Sequence, residues 1–332
     1  MVVLSIYGKI EPMCISQKLK LYVSNLPREE HNNWNKELFC EFEEALAIKK
    51  LHNARYDLNK CIDLNNLLTK RHLPIHHDTE AAAIQEIVDN MICLYMDFSY
   101  EDMPLGNWDT NPFDSRCCED DYSELIIDFL QFISNRKNHQ IPDYIYSSST
   151  NFGQASMRLF YCTDNTDDLI ENLLYWGKKL DNFLQTKNDY LLFDYIVRAL
   201  HNAIQYDTFH FFKLYSLCQL FLEKENEREL DKKLPQFLDV DLPTHKKASV
   251  ARILRQMRNC IAHGNFDGLE KKTEAYAKLV MDGKYMFDYA EYSRKNWVLI
   301  NSCCLLADTV LQLILLLLED KDKLMRIKNM PS

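Results

Sequence analysis

Apolar residues recur at the spacing of a helix face through most of the second half of the chain. Val250, Ile253, Leu254 and Met257 fall at such intervals, and Lys246 to Met257 holds no glycine or proline. A helix is therefore predicted there, with Asp241 or Thr244 as its cap. Gly264 predicts its end, because a glycine just past the last turn lets the chain leave the helix in a left-handed conformation. The stretch Asp207 to Leu222 reads as a second long helix and the nearly unbroken apolar run Trp297 to Leu318 as a third. Asp164 to Thr186 predicts a connecting helix, followed by another over Asp189 to Gln205.

The N-terminal half is less periodic. Met1 to Ile10 reads as a short strand. Glu29 to Thr69 reads as one broken or two consecutive helices, and Thr79 to Phe98 and Asp120 to Asn138 as two more. Ser99 to Asp120 is rich in Asp, Glu, Pro, Gly and Asn and predicts a long acidic loop, and His139 to Gln154 is a second loop region. The organisation expected is a helical N-terminal domain over 1–155, a connecting segment over 156–186, a C-terminal helical domain over 187–326 and a tail over 327–332. The class is mainly α.

Composition narrows the picture. With 332 residues, 47% of them hydrophobic, and only 7 Gly and 9 Pro, the chain can bury a large core in two domains. Eleven cysteines, an odd count with no C-x-x-C pair, fit reduced thiols in a cytoplasm better than a disulfide framework or a structural zinc site. His72, His76 and His77 cluster without a cysteine or carboxylate at ligand spacing, so no metal is assigned to them. Met1 to Ile10 lacks the basic start and the long apolar run of a signal peptide. Trp297 to Leu318 has the length of a membrane span, yet Asp308 near its middle would cost about 2.5–3.5 kcal/mol in a bilayer, and a buried core helix is the better reading.

The formal net charge of −10 argues against non-specific coating of nucleic acid. Locally the balance reverses. Thr244 to Arg258 carries Lys246, Lys247, Arg252, Arg255 and Arg258 with no acidic residue, and the three arginines form a drifting row leading toward His263. A row of this kind suits phosphate contacts that position RNA without reading its sequence; a solvated helix face is the plainer alternative. At the end of the row stands Arg258-Asn259-Cys260-Ile261-Ala262-His263-Gly264. An arginine to hold phosphate oxygens, an amide, and an imidazole able to exchange a proton near neutrality are the parts phosphodiester cleavage needs. Asn259 and His263, four apart, share a helix face, so the amide can orient the ring. Arg71 to His76 has a similar spacing but is interrupted by Pro74 and lacks the amide.

These residues resemble the Arg-Asn-x-x-x-His motif of the HEPN superfamily, whose nuclease members carry Arg, four to six residues, then His. Asp207 to Leu222 looks like the first long helix of a bacterial HEPN domain and Trp297 to Leu318 like its last, so the resemblance covers residues 187 to 326. It implies an antiparallel bundle of four to five helices and RNA cleavage without metal or other cofactor, with Arg258 and His263 catalytic and Asn259 orienting. Lys246, Lys247, Arg252 and Arg255 would bind the RNA, a tRNA or an mRNA. Attack by the 2′-hydroxyl would leave a 2′,3′-cyclic phosphate and a 5′-hydroxyl. A single copy of the motif implies a homodimer with a composite site. Standalone relatives resemble toxins and antiphage or abortive-infection effectors, which implies a regulatory partner such as an antitoxin, a cytoplasmic location and no membrane. The acidic loop, Asp97 to Asp121, could then cover the basic cleft.

Two departures stand out. The tyrosine often found just after the histidine is replaced by Asn265 and Phe266, and an acidic residue frequent on the first domain helix falls at Gln219. A non-catalytic helical module for dimerisation and for RNA or protein binding remains the alternative. Taken singly, Arg258, Asn259 and His263 each have a structural use: pairing with a carboxylate, serving the backbone, and favouring a helix C-terminus.

Overall fold

The computed structural model describes residues 2–36, 85, 88–96, 115–134, 139, 141, 144–145, 166–201, 207–224, 230–282 and 291–330. They divide into two compact units, Met1–Tyr190 and Leu191–Ser332. Among the described residues the protein is mostly helical, in line with the mainly α expectation, but the first unit contains an antiparallel sheet that a helical N-terminal domain does not include.

The sheet has the strand order β2-β3-β4-β1-β5, with β1 Val2–Tyr7, β2 Met13–Ser16, β3 Leu21–Asn25, β4 Met91–Met96 and β5 Tyr144–Ile145. The strand expected near the N-terminus is β1. The helix expected over Thr79 to Phe98 is overturned for its last part, because Met91–Met96 is the central strand, paired with β3 through Val23↔Leu94 and with β1 through Val3↔Cys93. Met91, Ile92, Cys93 and Leu94 are all fully buried. A strand covered on both faces is apolar at every position and loses the alternation that marks a half-exposed strand. Asn25 knits the neighbouring chain: its amide donates to the carbonyls of Gly8 (2.6 Å) and Met91 (3.1 Å) and accepts from the Ile10 N–H (2.9 Å).

Helix α1, Ser115–Ser134, packs on β1 and β4. Its first turns occupy 115–120, so the end of the acidic stretch expected as a loop is helical; the rest of that stretch, like Glu37 to Thr69 and the three clustered histidines, lies outside the described residues. Helix α2, Thr166–Phe183, comes from the segment expected as a connector and packs on β2. Asp181 accepts the Ser16 hydroxyl and the N–H groups of Gln17 and Lys18, pinning the β2–β3 turn to this helix. Helix α3, Lys187–Leu200, spans the division between the units.

The second unit is helical throughout its described residues. Its elements are α4 Thr208–Leu222, α5 Leu230–Lys233, a 3-10 turn Leu234–Gln236, α6 Thr244–Ala262, α7 Phe266–Val280, α8 Glu291–Glu319 and α9 Lys321–Asn329. α4 packs on α6, α6 on α7, α7 on α8 and α8 back on α4, closing a cycle of four helices, with α5 against α6 and α9 against α4. Its core includes Phe211, Leu214, Leu254, Met257, Leu306 and Ile314, each fully buried.

The long apolar helix α8 is the one described helix that could cross a membrane by length and composition, and 56% of that apolar window is buried within the protein. Its polar residues have uses inside the unit. Asn301 accepts the hydroxyl of buried Tyr276 (2.9 Å), and Thr309 bonds the Leu305 carbonyl (2.8 Å). Residues 327–329, expected as tail, continue α9: Lys328 donates to the Leu220 carbonyl (2.7 Å), and buried Lys233 donates to that of Lys328 (2.6 Å). Cys14, Cys93, Cys218, Cys260, Cys303 and Cys304 are free thiols.

Candidate active site

Helix α6 begins differently from the sequence expectation. Neither Asp241 nor Thr244 caps it; Pro243 is the N-cap, extended at ψ 152°, and its carbonyl takes the Lys246 and Lys247 N–H groups at 2.8 and 3.1 Å. The far end is as the glycine predicts. His263 is the C-cap and Gly264 adopts φ +64°. The Gly264 N–H bonds the Ile261 carbonyl (3.2 Å) and the Asn265 N–H bonds that of Cys260 (2.9 Å), a Schellman closure. Asn265 then caps α7, its side chain accepting from the Gly268 N–H at 2.9 Å. His263 is held at the corner between two helices, exposed to solvent.

Arg258, Asn259 and His263 line one cleft of about 460 Å³, together with Tyr215, Gln219, Glu223 and Arg255. The seven residues form two facing stripes. Tyr215 and Gln219 lie four apart on α4 with Glu223 four further on as its C-cap, and Arg255, Arg258 and Asn259 lie on α6 with His263 as its C-cap. Arg258 lies against Phe212 near the start of α4 while Arg255 reaches Asp231 beyond its end, so the two stripes run in opposite senses.

Each cation of the row has a distinct environment. The Arg258 guanidinium carbon sits 4.9 Å from the centre of the Phe212 ring, a cation–π contact worth about 0.5–2 kcal/mol, and one terminal nitrogen donates to the Asn259 amide oxygen at 3.3 Å. Asn259 thus engages Arg258 through its side chain, while its backbone carbonyl accepts the His263 N–H at 3.1 Å. Arg255 pairs through Nε with both oxygens of Asp231, at 3.1 and 2.9 Å; both side chains are partly exposed, and such a pair contributes about 0–1 kcal/mol. Lys247 donates to the Leu238 carbonyl at 2.8 Å. Lys246 and Arg252 are exposed on α6 and are not among the residues lining the cleft.

On the α4 wall the sequence marks only Gln219, as the place where related proteins often carry an acidic residue, and it assigns no site role to the wall. Glu223 accepts from the Gln219 amide and from the Leu230 N–H, both at 2.9 Å, so its two oxygens are tied to the protein. Tyr215 is 1% exposed and its hydroxyl has no hydrogen-bond partner; Arg258 Nε is likewise buried and unpartnered. Leaving one such group unpaired costs about 1–3 kcal/mol. Burial, reinforced by the charges of Asp231 and Glu223, raises the Tyr215 pKa, so the phenol keeps its proton. The available signal was the spacing of four that links Tyr215, Gln219 and Glu223, which the run of phenylalanines before it obscured.

Of the two guanidinium groups lining the cleft, that of Arg255 is paired with Asp231, which leaves Arg258 beside an imidazole and one carboxylate. The arrangement can bind an anion and present a proton-transfer group to it. No protein-family model, curated protein or solved structure matches the chain, so the functional reading rests on the residues of this cleft and the sequence around them.

Proposed function

We propose that the chain is an RNA endonuclease of the HEPN type, its second unit being that family's helical bundle. The observation that carries the reading is that Arg258, Asn259 and His263, the three residues of the motif, line a single cleft. Arg258, braced by Phe212 and Asn259, holds the non-bridging oxygens of a phosphodiester and stabilises the charge that grows on them. The substrate's own 2′-oxygen attacks phosphorus, the bond from phosphorus to the 5′-oxygen breaks, and the products carry a 2′,3′-cyclic phosphate and a 5′-hydroxyl. His263 takes the 2′-hydroxyl proton or delivers one to the leaving 5′-oxygen. Both transfers are needed in one turnover, and a homodimer that faces two such clefts supplies a second histidine. Exposed Arg252 and Lys246 guide the RNA backbone toward it. The setting is a cytoplasmic toxin or antiphage effector.

The test is incubation of the full chain, Arg258→Ala and His263→Ala with total RNA and a tRNA pool in EDTA, followed by end mapping. Cleavage that leaves 2′,3′-cyclic ends and disappears in both variants is expected. Cleavage by both variants at the wild-type rate would overturn the site. No cleavage by a confirmed dimer would favour the non-catalytic helical module.

A further inference from the structure

Three buried polar side-chain atoms among the described residues have no hydrogen-bond partner: Asn35 Oδ1, Tyr215 OH and Arg258 Nε. Two of the three belong to residues lining the same cleft. Folded proteins rarely leave such groups unpaired, and each calls for an explanation. The usual escape for Tyr215, donation to a neighbouring carboxylate, is not taken although two carboxylates are near enough to act on its charge. Glu223 is already engaged by Gln219 and Leu230, and Asp231 by Arg255.

We infer that Tyr215 is a phosphate-binding residue: its hydroxyl and Arg258 Nε are paired donors awaiting the oxygens of a phosphodiester in the cleft. Both groups fit that ligand. The guanidinium Nε–H can only donate, and the tyrosine hydroxyl, its proton retained by burial, donates as well. Two residues lining the cleft thus each carry a buried, unsatisfied donor while the carboxylate among the lining residues is occupied by protein N–H groups, a pattern that suits an acceptor-rich anion. The ring of Tyr215 is buried in the helix core, so its hydroxyl is fixed rather than mobile, and oxygens bound there are held against α4 while Arg258 meets them from α6. This inference deepens the nuclease reading and rests on it for the identity of the anion, but the binding it predicts can be measured without turnover.

The discriminating change is Tyr215→Phe, which removes one oxygen and leaves the ring. A hydroxyl present for packing or folding would lower stability when lost; one left unpaired for a ligand leaves the melting temperature unchanged or raises it. The probe is a fluorescein-labelled single-stranded RNA with 2′-fluoro substitution throughout, which has no 2′-hydroxyl to attack, read by anisotropy against the full chain. Tyr215→Phe is expected to bind it about five- to tenfold more weakly at an equal or higher melting temperature, and Arg258→Ala more weakly still. Binding by Tyr215→Phe within twofold of wild type, with Arg258→Ala impaired, would sink the role of Tyr215 and leave the nuclease reading intact. Wild-type binding in both variants, or no binding by the unmodified protein, would sink both. Weakened binding in both variants alongside a wild-type protein that cleaves no RNA would uphold the anion site and refute the nuclease.

Discussion

Gly264 offers the cleanest perturbation of the candidate site, because its two possible reasons for being glycine can be separated. A Cβ built on it meets nothing within 4 Å, so no packing forbids a side chain there. What remains is the backbone, at φ +64°. A residue with a Cβ pays about 1–2 kcal/mol in that left-handed conformation. Alanine recovers about 0.4–1 kcal/mol of this by restricting the unfolded chain. The net loss expected for Gly264→Ala is therefore about 1 kcal/mol, or roughly 2–5 °C in melting temperature for a unit of this size. Asparagine tolerates the left-handed region and should cost less, and valine, branched at Cβ, more. The assay is thermal and urea denaturation of the full chain, with hydrogen exchange of the peptide spanning Cys260 to Phe266 as the local readout. The Asn265 N–H, bonded to the Cys260 carbonyl, should exchange faster in the order Gly, Asn, Ala, Val. Since the same closure places His263, the proposed nuclease reading predicts that RNA cleavage falls in that order too. Equal stability and protection in glycine, alanine and valine variants would show that the helix end does not depend on the left-handed residue, and the account of how His263 is positioned would fail.

Gly177 is glycine for the opposite reason: a Cβ there would collide with the Ile15 carbonyl oxygen, which is backbone and cannot step aside. Gly177→Ala should push α2 off β2 and cost about 1–3 kcal/mol in urea denaturation, and a neutral result would contradict the close approach. His210, buried on α4, has its pKa lowered by desolvation first and by Lys213 second, with Asp207 opposing. A histidine whose folded pKa lies below its unfolded one contributes stability that is fully present above the unfolded value, about 6.5, and is lost as pH falls below it. The denaturation midpoint of the wild type should therefore drop more steeply between pH 7.5 and 5.5 than that of His210→Asn, and parallel slopes would remove His210 as the cause.

What could be read in the sequence depended on how far each feature was local. The end of α6 was legible because one glycine after a helical run carries the whole signal, and α4 and α8 were legible because long apolar stretches leave little choice. β4 was not, since Met91 to Leu94 is buried without a break and a run apolar at every position fits helix and strand alike. β2 and β3 are only four and five residues long, joined by a turn in which Lys20 takes φ +47°, and no glycine or asparagine marks it. The start of α6 misled in a different way. Asp241 and Thr244 are common capping types, but the chain enters through extended Pro243 with no side-chain cap, its carbonyl accepting the first helical N–H bonds. At the site, the α6 stripe was visible as charge and motif. The α4 wall was not, because a tyrosine's value there depends on which acceptors its neighbours have already consumed, and those partners lie 4 to 40 residues away in sequence.

The same dependence on partners changes the meaning of the basic row on α6. In the sequence it is a run of equivalent cations; in the fold it is divided. Lys247 is spent on the Leu238 carbonyl and Arg255 on Asp231, while Arg258 is aimed by an aromatic ring and an amide. A surface meant to coat nucleic acid would leave its cations in water, where each displaces a counterion and adds to affinity without orientation. Here one guanidinium is fixed in a cleft beside an unpaired phenol and an exposed imidazole, and the chain around it is acidic overall. The arrangement gives up breadth of electrostatic attraction and concentrates donors on a single anionic group. On the proposed reading, the site would hold one phosphodiester in one orientation, which matters more for cleaving a backbone than for gripping its length.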